Sequence, residues 1–360
     1  MNGRALRSSE SGSQGEAMRV GICGYPGSGK STVFTALAPG GRTDRDVAFG
    51  NIKVPDERVD FLASVFHPKK TTYAEITFVD VGGAGRAGGA FPPEVIQAMR
   101  NADVLVHVCR GFLNPSLTAQ ADPARDERAF SDELLLLDLG MLEKRAERFK
   151  KEAKKGAEVD VTKKCLDHIE KGEALRTLGL AEEELKALGP GIQLLSLSPL
   201  ITLYNLSEQA WADPASKALR ETKRGPNEAK IAICGAIEAE IAGMPPAEQG
   251  EFLEGLGLGE PARNGFIKAA YGLLDLISFL TSGPDECRAW PIRRGTVARK
   301  AAGKVHSDIE RGFIRAEIYR PEDLKVAGSE AALKAQGKIR VEGKDYVMQD
   351  GDVANFRFNV

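Results

Sequence analysis

The feature that most constrains this chain is the stretch of residues 24–32, which reads Gly-Tyr-Pro-Gly-Ser-Gly-Lys-Ser-Thr. It matches G-x-x-x-x-G-K-[ST], a loop whose backbone N–H groups surround nucleotide phosphates. An apolar run precedes it at residues 20–23, and apolar residues follow at helical spacing within 33–37. The order strand, glycine loop, helix places the partial positive charge of a helix N-terminus at the phosphates. The sequence therefore predicts an α/β nucleotide-binding domain of the P-loop type.

Most residues of this loop are predicted to contact the nucleotide: Gly24, Pro26, Gly27, Ser28, Gly29, Lys30, Ser31 and Thr32. Lys30 is the predicted catalytic residue, because its ammonium group would neutralise charge on the terminal phosphates. The hydroxyl group of Ser31 is a predicted ligand of Mg²⁺, the expected cofactor.

A carboxylate that would complete the magnesium site follows a second apolar strand. Ile76, Phe78 and Val79 lead into Asp80, and residues 80–83 read D-x-x-G. An Asp at the carboxyl end of a core strand beside a phosphate loop holds magnesium, usually through water. The pairing with residues 24–32 carries this inference, because D-x-x-G alone indicates little.

Two stretches have the composition of nucleotide-responsive loops. Residues 42–49 are polar and follow a Pro-Gly-Gly break, so we expect a mobile loop there. Its one threonine, Thr43, is either a third magnesium ligand or a loop residue without a ligand. Residues 82–90 contain five glycines, which predicts a loop that reorders when ligand binds.

Residues 205–208, Asn-Leu-Ser-Glu, follow an apolar strand and occupy the place of base recognition. A guanine pocket normally carries N-K-x-D, whose Asp accepts hydrogen bonds from two guanine N–H groups. This chain has Leu206 at the Lys position and Glu208 at the Asp position. We therefore predict that Asn205, Leu206 and Glu208 contact an adenine, with ATP preferred and GTP as the alternative.

Composition limits the remaining classes. The 360 residues suit two or three domains, and a formal net charge of −2 gives no global attraction to nucleic acid or to a membrane. No apolar run has the length of a membrane span, and no DNA partner is expected. Five scattered cysteines without a C-x-x-C pair favour neither a disulfide framework nor a zinc site, and fit a reducing cytoplasm. Residues 1–17, rich in Ser, Gly and charge, are expected to be a disordered extension, a vector remnant or an upstream start.

Residues 114–195 have a different character from the segments around them. Apolar residues recur at spacings of three and four from Leu135 to Ala153, and a second run follows Gly156. This pattern predicts an antiparallel helical hairpin inserted into a nucleotide domain of residues 18–113 and 196–279. The lysines and arginines of the hairpin form either a solvated face or part of a partner-binding surface.

Residues 280–360 form the last predicted domain. Six basic residues occur without an acidic one between Arg288 and Lys304, around Trp290. They indicate either an RNA-facing patch or an ordinary solvated loop. Beyond them, apolar stretches around residues 342–343 and 350–351 predict short strands joined by tight turns.

From residue 18 to residue 360 the chain resembles the Obg-like ATPases of YchF type. The most specific matches are residues 205–208, residues 236–241, and the ending formed by residues 312–317, 342–346 and 350–360. The resemblance implies that the backbone beside Leu206 reads the adenine edge, and that the protein binds ribosomes or ribosomal RNA. It also implies three parts: the P-loop domain, the helical hairpin, and a C-terminal TGS domain with a ubiquitin-like β-grasp fold.

Three departures from that family bear on hydrolysis. Gly27 stands where the family usually has an Asn associated with potassium-assisted hydrolysis. Thr43 sits one place off the register expected for the first switch. Ala84 follows D-x-x-G where the family has Leu, and neither side chain orients a water as Gln does. Hydrolysis would then rest on positioning and charge neutralisation.

Three functions follow as hypotheses. The first is a slow, magnesium-dependent ATPase that acts as a ribosome-associated nucleotide switch in the cytoplasm. The second is a nucleotide-responsive binding module that does not turn over. The third is a guanine-specific GTPase.

Overall fold

The computed structural model describes residues 18–39, 42–44, 47–81, 91–189, 191–221, 223–225, 227–256 and 260–359. The expected extension at 1–17 and the glycine-rich loop at 82–90 lie outside these residues. In chain order the strands are β1 (Met18–Cys23), β2 (Arg42–Asp44), β3 (Val47–Lys53), β4 (Lys70–Thr72), β5 (Glu75–Asp80), β6 (Val104–Gly111), β7 (Leu200–Leu206), β8 (Lys223–Gly225), β9 (Glu228–Ile233), β10 (Leu276–Thr281), β11 (Glu286–Arg293), β12 (Phe313–Tyr319), β13 (Arg340–Glu342) and β14 (Val353–Phe358).

The α-helices are α1 (Lys30–Leu37), α2 (Glu57–Phe66), α3 (Pro93–Arg100), α4 (Pro123–Lys151), α5 (Ala157–Ile169), α6 (Glu182–Leu188), α7 (Glu208–Ala212), α8 (Lys217–Arg220), α9 (Gly235–Gly243), α10 (Pro246–Gly255), α11 (Ala262–Leu273), α12 (Ala298–Val305), α13 (Ser307–Arg311), α14 (Pro321–Ala327) and α15 (Glu330–Ala335). Short 3-10 helices occur at Leu175–Thr177, Leu195–Leu197 and Pro214–Ser216.

The chain divides into two compact units. The P-loop unit consists of Met18–Ile52 and Ile76–Leu274. The C-terminal unit contains Lys53–Glu75 and the chain from Asp275 onwards. The sequence pattern assigned residues 53–75 to the nucleotide domain, so their membership of the C-terminal unit is a difference from that expectation.

The P-loop unit is organised by a sheet of eight strands in the order β2-β3-β5-β1-β6-β7-β9-β8. The central strands β5, β1, β6, β7 and β9 pair in parallel. Every residue of β7 is buried, and so are all of β6 except Gly111. Such continuous burial is typical of parallel strands that helices cover on both faces. The predicted α/β class is confirmed.

Side chains alternate across each strand, so a strand that is apolar throughout presents apolar side chains to both faces of the sheet. Helices cover both of these faces. Cys23 packs with Leu105 and with apolar side chains of α3 and α4. Phe78 of β5 instead packs against Phe266 of α11, with ring centroids 5.5 Å apart. Because β1, β5, β6 and β7 run parallel, their carboxyl ends meet at one edge of the sheet. This edge is where α/β proteins bind ligands.

The predicted helical hairpin is present as α4 and α5. Leu135 and Leu142 of α4 pack with Val161, Cys165 and Ile169 of α5 in one apolar cluster. The first turns of α4 have a second role, since Phe130 and Leu134 pack in the cluster under the sheet. This shared helix explains why the hairpin belongs to the P-loop unit rather than to a compact unit of its own.

The C-terminal unit contains a sheet of six strands in the order β13-β12-β14-β10-β11-β4. Strands β10 and β11 form an antiparallel hairpin, and β10 pairs in parallel with β14. Helix α12 packs its small residues Ala298, Ala301 and Ala302 onto a core that includes Phe279 and Phe356. The short strands predicted for the end of the chain are thus present as β12, β13 and β14, and they belong to a mixed sheet that helices cover.

Residues 53–75 are built into the C-terminal unit by pairing and by an ion pair. Strand β4 pairs in parallel with β11. Arg58 of α2 donates to Asp350 at 2.8 Å, and Asp350 also accepts from the backbone N–H of Ser278 at 2.9 Å. These partners are far apart in sequence, so local pattern contains no sign of them.

The expected loop at residues 42–49 is wrong in part. β2 and β3 form an antiparallel pair there, with Arg42 opposite Phe49. Backbone pairing at a sheet edge stabilises this hairpin, and polar composition does not report such pairing.

All five cysteines are free and buried. Among the described residues, no helix combines the length and apolarity that crossing a membrane requires.

Candidate functional site

The phosphate loop connects β1 to α1 and is shaped by its glycines. The backbone N–H of Ser28 donates to the carbonyl of Tyr25 at 3.2 Å, and the N–H of Val33 donates to the carbonyl of Gly29 at 2.9 Å. Gly29 has φ +85°, and a Cβ there would overlap Nδ2 of Asn205. Both the left-handed conformation and the missing space require glycine at this position.

Lys30 lies at the start of α1 and folds back over the loop. Its ammonium group donates to the carbonyls of Gly24 at 2.9 Å and Tyr25 at 3.1 Å. Burial lowers the pKa of Lys30, while the Asp80 carboxylate and the Cys23 thiol act in the opposite direction. The cation is therefore held in place beside the loop before any phosphate arrives.

The donor set beside Lys30 fits a magnesium ion. Asp80 ends β5 and lies in register with Ile22 of β1, directly before the phosphate loop. Ser31 and Thr32 are exposed on the first turn of α1. A carboxylate and hydroxyl oxygens are the ligands that Mg²⁺ prefers. The Thr43 backbone lies in β2, and its side chain is outside the part of the chain that the structure describes.

Asn205 connects three segments of the site. Its Nδ2 donates to the carbonyl of Ser28 at 3.1 Å, and its Oδ1 accepts from the N–H of Gly235 at 3.0 Å. The side chain is buried at the end of β7. The predicted base-contacting Asn therefore also holds the phosphate loop and the start of α9 in fixed relation.

A cavity of about 700 Å³ opens beside the phosphate loop. Its volume is in the range of small-molecule sites. It brings together Thr32 and the predicted base-contacting residues, which the sequence places far apart. Its lining consists of Thr32, Gly111, Phe112, Leu113, Gln120, Ala121, Asn205, Leu206, Ser207, Glu208, Gln209 and Ala236.

One wall of the cavity was missed by the sequence reasoning. Phe112, Leu113, Gln120 and Ala121 belong to the connection between β6 and α4. They carry no recognisable motif. Their position after the carboxyl end of a buried parallel strand was the available signal, because ligands bind at that edge of such sheets.

Buried groups under the phosphate loop are held in uncharged forms. Burial raises the pKa of the Cys23 thiol to about 12, with Lys30 acting against it. Burial, assisted by the Lys30 charge, lowers the pKa of His107 to about 3. The His107 ring stacks on Phe130 at a centroid distance of 4.0 Å. These groups support the loop as packing residues and are poor candidates for acid–base chemistry.

Several of the basic residues singled out in the sequence have intramolecular partners. In the hairpin, Arg145 and Lys154 both pair with Glu158. In the C-terminal unit, Arg294 pairs with Asp275 at 3.0 Å and Lys300 with Glu310 at 2.7 Å. The acidic partners of the stretch 288–304 thus come from outside it.

Arg288 lies over the Trp290 ring, 3.9 Å from its centroid. This stacking places a guanidinium group and an aromatic ring together on β11. The geometry is compatible with either of the two readings of the basic stretch.

Comparison with protein families gives a match over the C-terminal unit. Residues 276–359 match the model of the YchF GTPase C-terminal domain, described as "Protein of unknown function (DUF933)". The chain is 37% identical to the "Ribosome-binding ATPase YchF" of Bacillus subtilis, over 96% of this chain and 100% of that protein. It is 33% identical to "Obg-like ATPase 1" of Oryza sativa, over 95% of this chain and 92% of that protein.

Solved structures give the same picture of the fold. The YchF GTPase of Schizosaccharomyces pombe matches with a TM-score of 0.82 and 29% identity, over 96% of this chain and 99% of that one. A GTP-binding protein of Pyrococcus horikoshii matches with a TM-score of 0.59 and 21% identity, over 95% and 100%. The latter likeness bears on the fold alone.

Proposed function

This chain belongs to the YchF family, and from that premise we propose that it is a slow, magnesium-dependent ATPase whose affinity for ribosomes changes with nucleotide state. The family membership establishes a P-loop nucleotide-binding protein. The nucleotide preference, the hydrolysis, the ribosome and the cytoplasmic location are the proposed parts. Relatives carry the name "Ribosome-binding ATPase", which supports the ribosome as partner.

One observation carries the proposal: the Lys30 ammonium group is held by two loop carbonyls beside a cavity lined by Thr32, Asn205 and Glu208. We propose that the triphosphate lies over Gly24, Pro26, Gly27, Ser28, Gly29 and Lys30, with the base at residues 205–208. Mg²⁺, held by Ser31 and through water by Asp80, would supply charge neutralisation at the phosphates. Thr43 stays a proposed further ligand.

Adenine is the proposed base because of the side chains at the base end of the cavity. Leu206 is buried and offers no ammonium stem to cover a guanine. Glu208 is the first residue of α7, and its longer side chain replaces the short Asp of a guanine pocket. We therefore expect the backbone beside Leu206 to select the base.

The proposed domains are the P-loop domain of residues 18–113 and 196–279, the hairpin of 114–195, and a TGS β-grasp domain of 280–360. Residues 53–75 and 275–279 are exceptions to this division, because they fold with the C-terminal unit. Helix α12 packed on a mixed sheet supports the last of these. We propose that the basic residues around Trp290 and on the hairpin face ribosomal RNA.

Competition of ATP against GTP, with Mg²⁺ present and absent, tests the nucleotide assignment. We expect tighter ATP binding that depends on Mg²⁺. A strong GTP preference would contradict the base assignment and favour a GTPase.

Phosphate release measured with and without ribosomes tests turnover. Slow release that ribosomes alter is the expected result. Release at background level under both conditions would favour a nucleotide-responsive module that does not hydrolyse ATP, a candidate that the replaced switch residue Ala84 supports.

A further inference from the structure

The missed wall of the cavity is anchored by a buried arginine. Arg110, near the end of β6, is 5% exposed. Its Nη1 donates to the carbonyl of Phe112 at 3.3 Å, and its Nη2 donates to the carbonyl of Ala119 at 2.7 Å. One guanidinium group thus ties together the two ends of the segment 112–119, and it draws that segment into a closed loop.

Burying the charged side chain of Arg110 costs free energy that its hydrogen bonds must offset. Burying a guanidinium group is unfavourable unless its donors are paired. Arg110 donates to neutral carbonyls of a single loop, and within the described ranges no carboxylate forms an ion pair with it. Such an arrangement fixes the loop rather than the sheet.

The tip of the anchored loop rests on the phosphate loop. The N–H of Leu117 donates to the carbonyl of Asn114 at 3.0 Å, which closes a turn. Asn114 Oδ1 accepts from the N–H of Ser116 at 3.0 Å, and Asn114 Nδ2 points to the carbonyl of Gly27 at 3.4 Å. The turn therefore lies directly over Gly27.

Gly27 and this turn are matched in shape. A Cβ at residue 27 would lie 2.7 Å from Cδ1 of Leu117 and 2.9 Å from Nδ2 of Asn114. Residue 27 also has φ +74°, where a side chain is strained. Glycine at this position lets the loop close down onto the phosphate loop.

We propose that Arg110 is a positioning residue that sets nucleoside affinity by holding the 112–121 segment as a preformed wall of the cavity. The inference rests on the proposed nucleotide binding at residues 24–32. Leu113 is 82% exposed at the rim although it is apolar, and a bound nucleoside would cover it. A wall fixed before binding spares the ligand the entropic cost of ordering it.

The test separates the nucleoside from the phosphates. Wild-type protein and Arg110→Gln are titrated with a fluorescent ATP analogue, and ATP and inorganic tripolyphosphate are used as competitors. Tripolyphosphate would bind the N–H groups of the phosphate loop, whereas the hydrogen bond from the wall goes to the carbonyl of Gly27, so its affinity reports on the loop without the wall. We expect Arg110→Gln to bind ATP about tenfold more weakly, with tripolyphosphate affinity unchanged within about twofold.

Arg176→Gln is the matched control. Arg176 is also a buried arginine of the P-loop unit, and its Nε donates to the carbonyl of Ser198 at 3.0 Å. It does not line the cavity. Loss of this guanidinium group is expected to lower stability and to leave the ratio of ATP to tripolyphosphate affinity unchanged.

Asn114→Ala keeps the inference testable if Arg110→Gln fails to fold. Its half-buried side chain closes the turn, so its loss is expected to weaken ATP about threefold and to spare tripolyphosphate. An unchanged ratio of ATP affinity to tripolyphosphate affinity in the variants that fold would overturn the role of Arg110, whether or not both affinities fall. A wild-type protein that binds neither competitor would instead overturn the proposed nucleotide site.

Discussion

Truncation of Asn205 tests how the site is assembled. Asn205→Ala removes the donor to the Ser28 carbonyl and the acceptor for the Gly235 N–H, both within a buried region. A buried polar group left without a partner costs about 1–3 kcal/mol. Because Asn205 lines the cavity, water would enter the space left by its amide and pair with these groups in part, so the lower part of the range applies to each. We therefore expect a loss of about 2–3 kcal/mol in the free energy of unfolding of the P-loop unit.

The two tryptophans make this loss measurable. Trp211 lies in the P-loop unit and Trp290 in the C-terminal unit. In a Trp290→Phe background, denaturant unfolding followed by fluorescence reports on Trp211 alone. Gln249→Ala is the control, because this half-buried amide donates to the carbonyl of Met244 away from the cavity. ATP affinity should fall in Asn205→Ala and not in the control. A stability change below about 0.5 kcal/mol together with intact ATP affinity would refute the reasoning.

Three further predictions concern buried groups. Burial raises the pKa of Cys23 to about 12, so its thiol should stay unreactive towards a thiol reagent at pH 8 in the native protein. It should react once the protein unfolds. Fast labelling of Cys23 in the native protein would contradict this prediction. The pKa of His107 is lowered to about 3 in the folded protein, so between about pH 6.5 and 3 the imidazole binds a proton in the unfolded state and not in the folded one. The free energy of unfolding should therefore fall by about 1.4 kcal/mol per pH unit as the pH drops through this range. His107→Phe should remove that component of the slope, and an identical pH profile would count against it. Arg58→Leu removes the 2.7 Å ion pair to the Asp56 carboxylate, which is 10% exposed, as well as the pair to the exposed Asp350. It should destabilise the C-terminal unit by about 1–2 kcal/mol, as read from Trp290 with Trp211 replaced by Phe.

The phosphate loop and the central strands could be predicted from sequence because their signals are local. Residues 24–32 contain the whole motif, and β1, β5, β6 and β7 are apolar runs of strand length. The helical hairpin of α4 and α5 could be predicted in the same way, since its apolar stripe repeats along α4.

The features that were missed depend on residues distant in sequence. The hairpin of β2 and β3 is stabilised by backbone pairing, which polar side chains do not reveal. Residues 53–75 join the C-terminal unit through Arg58 and β4, whose partners follow more than 200 residues later. The wall at residues 112–121 is ordered by Arg110, and an isolated arginine at a strand end has no sequence signature.

Calorimetric titration of Lys30→Ala with ATP and Mg²⁺ tests the central claim most directly, because the Lys30 ammonium group is the charge held at the phosphate loop. Lys217→Ala, an exposed lysine of the same unit, is the control. We predict saturable heat with the wild-type protein and the control, and none with Lys30→Ala. Equal ATP affinity in all three proteins would contradict the assignment of residues 24–32 as the nucleotide site.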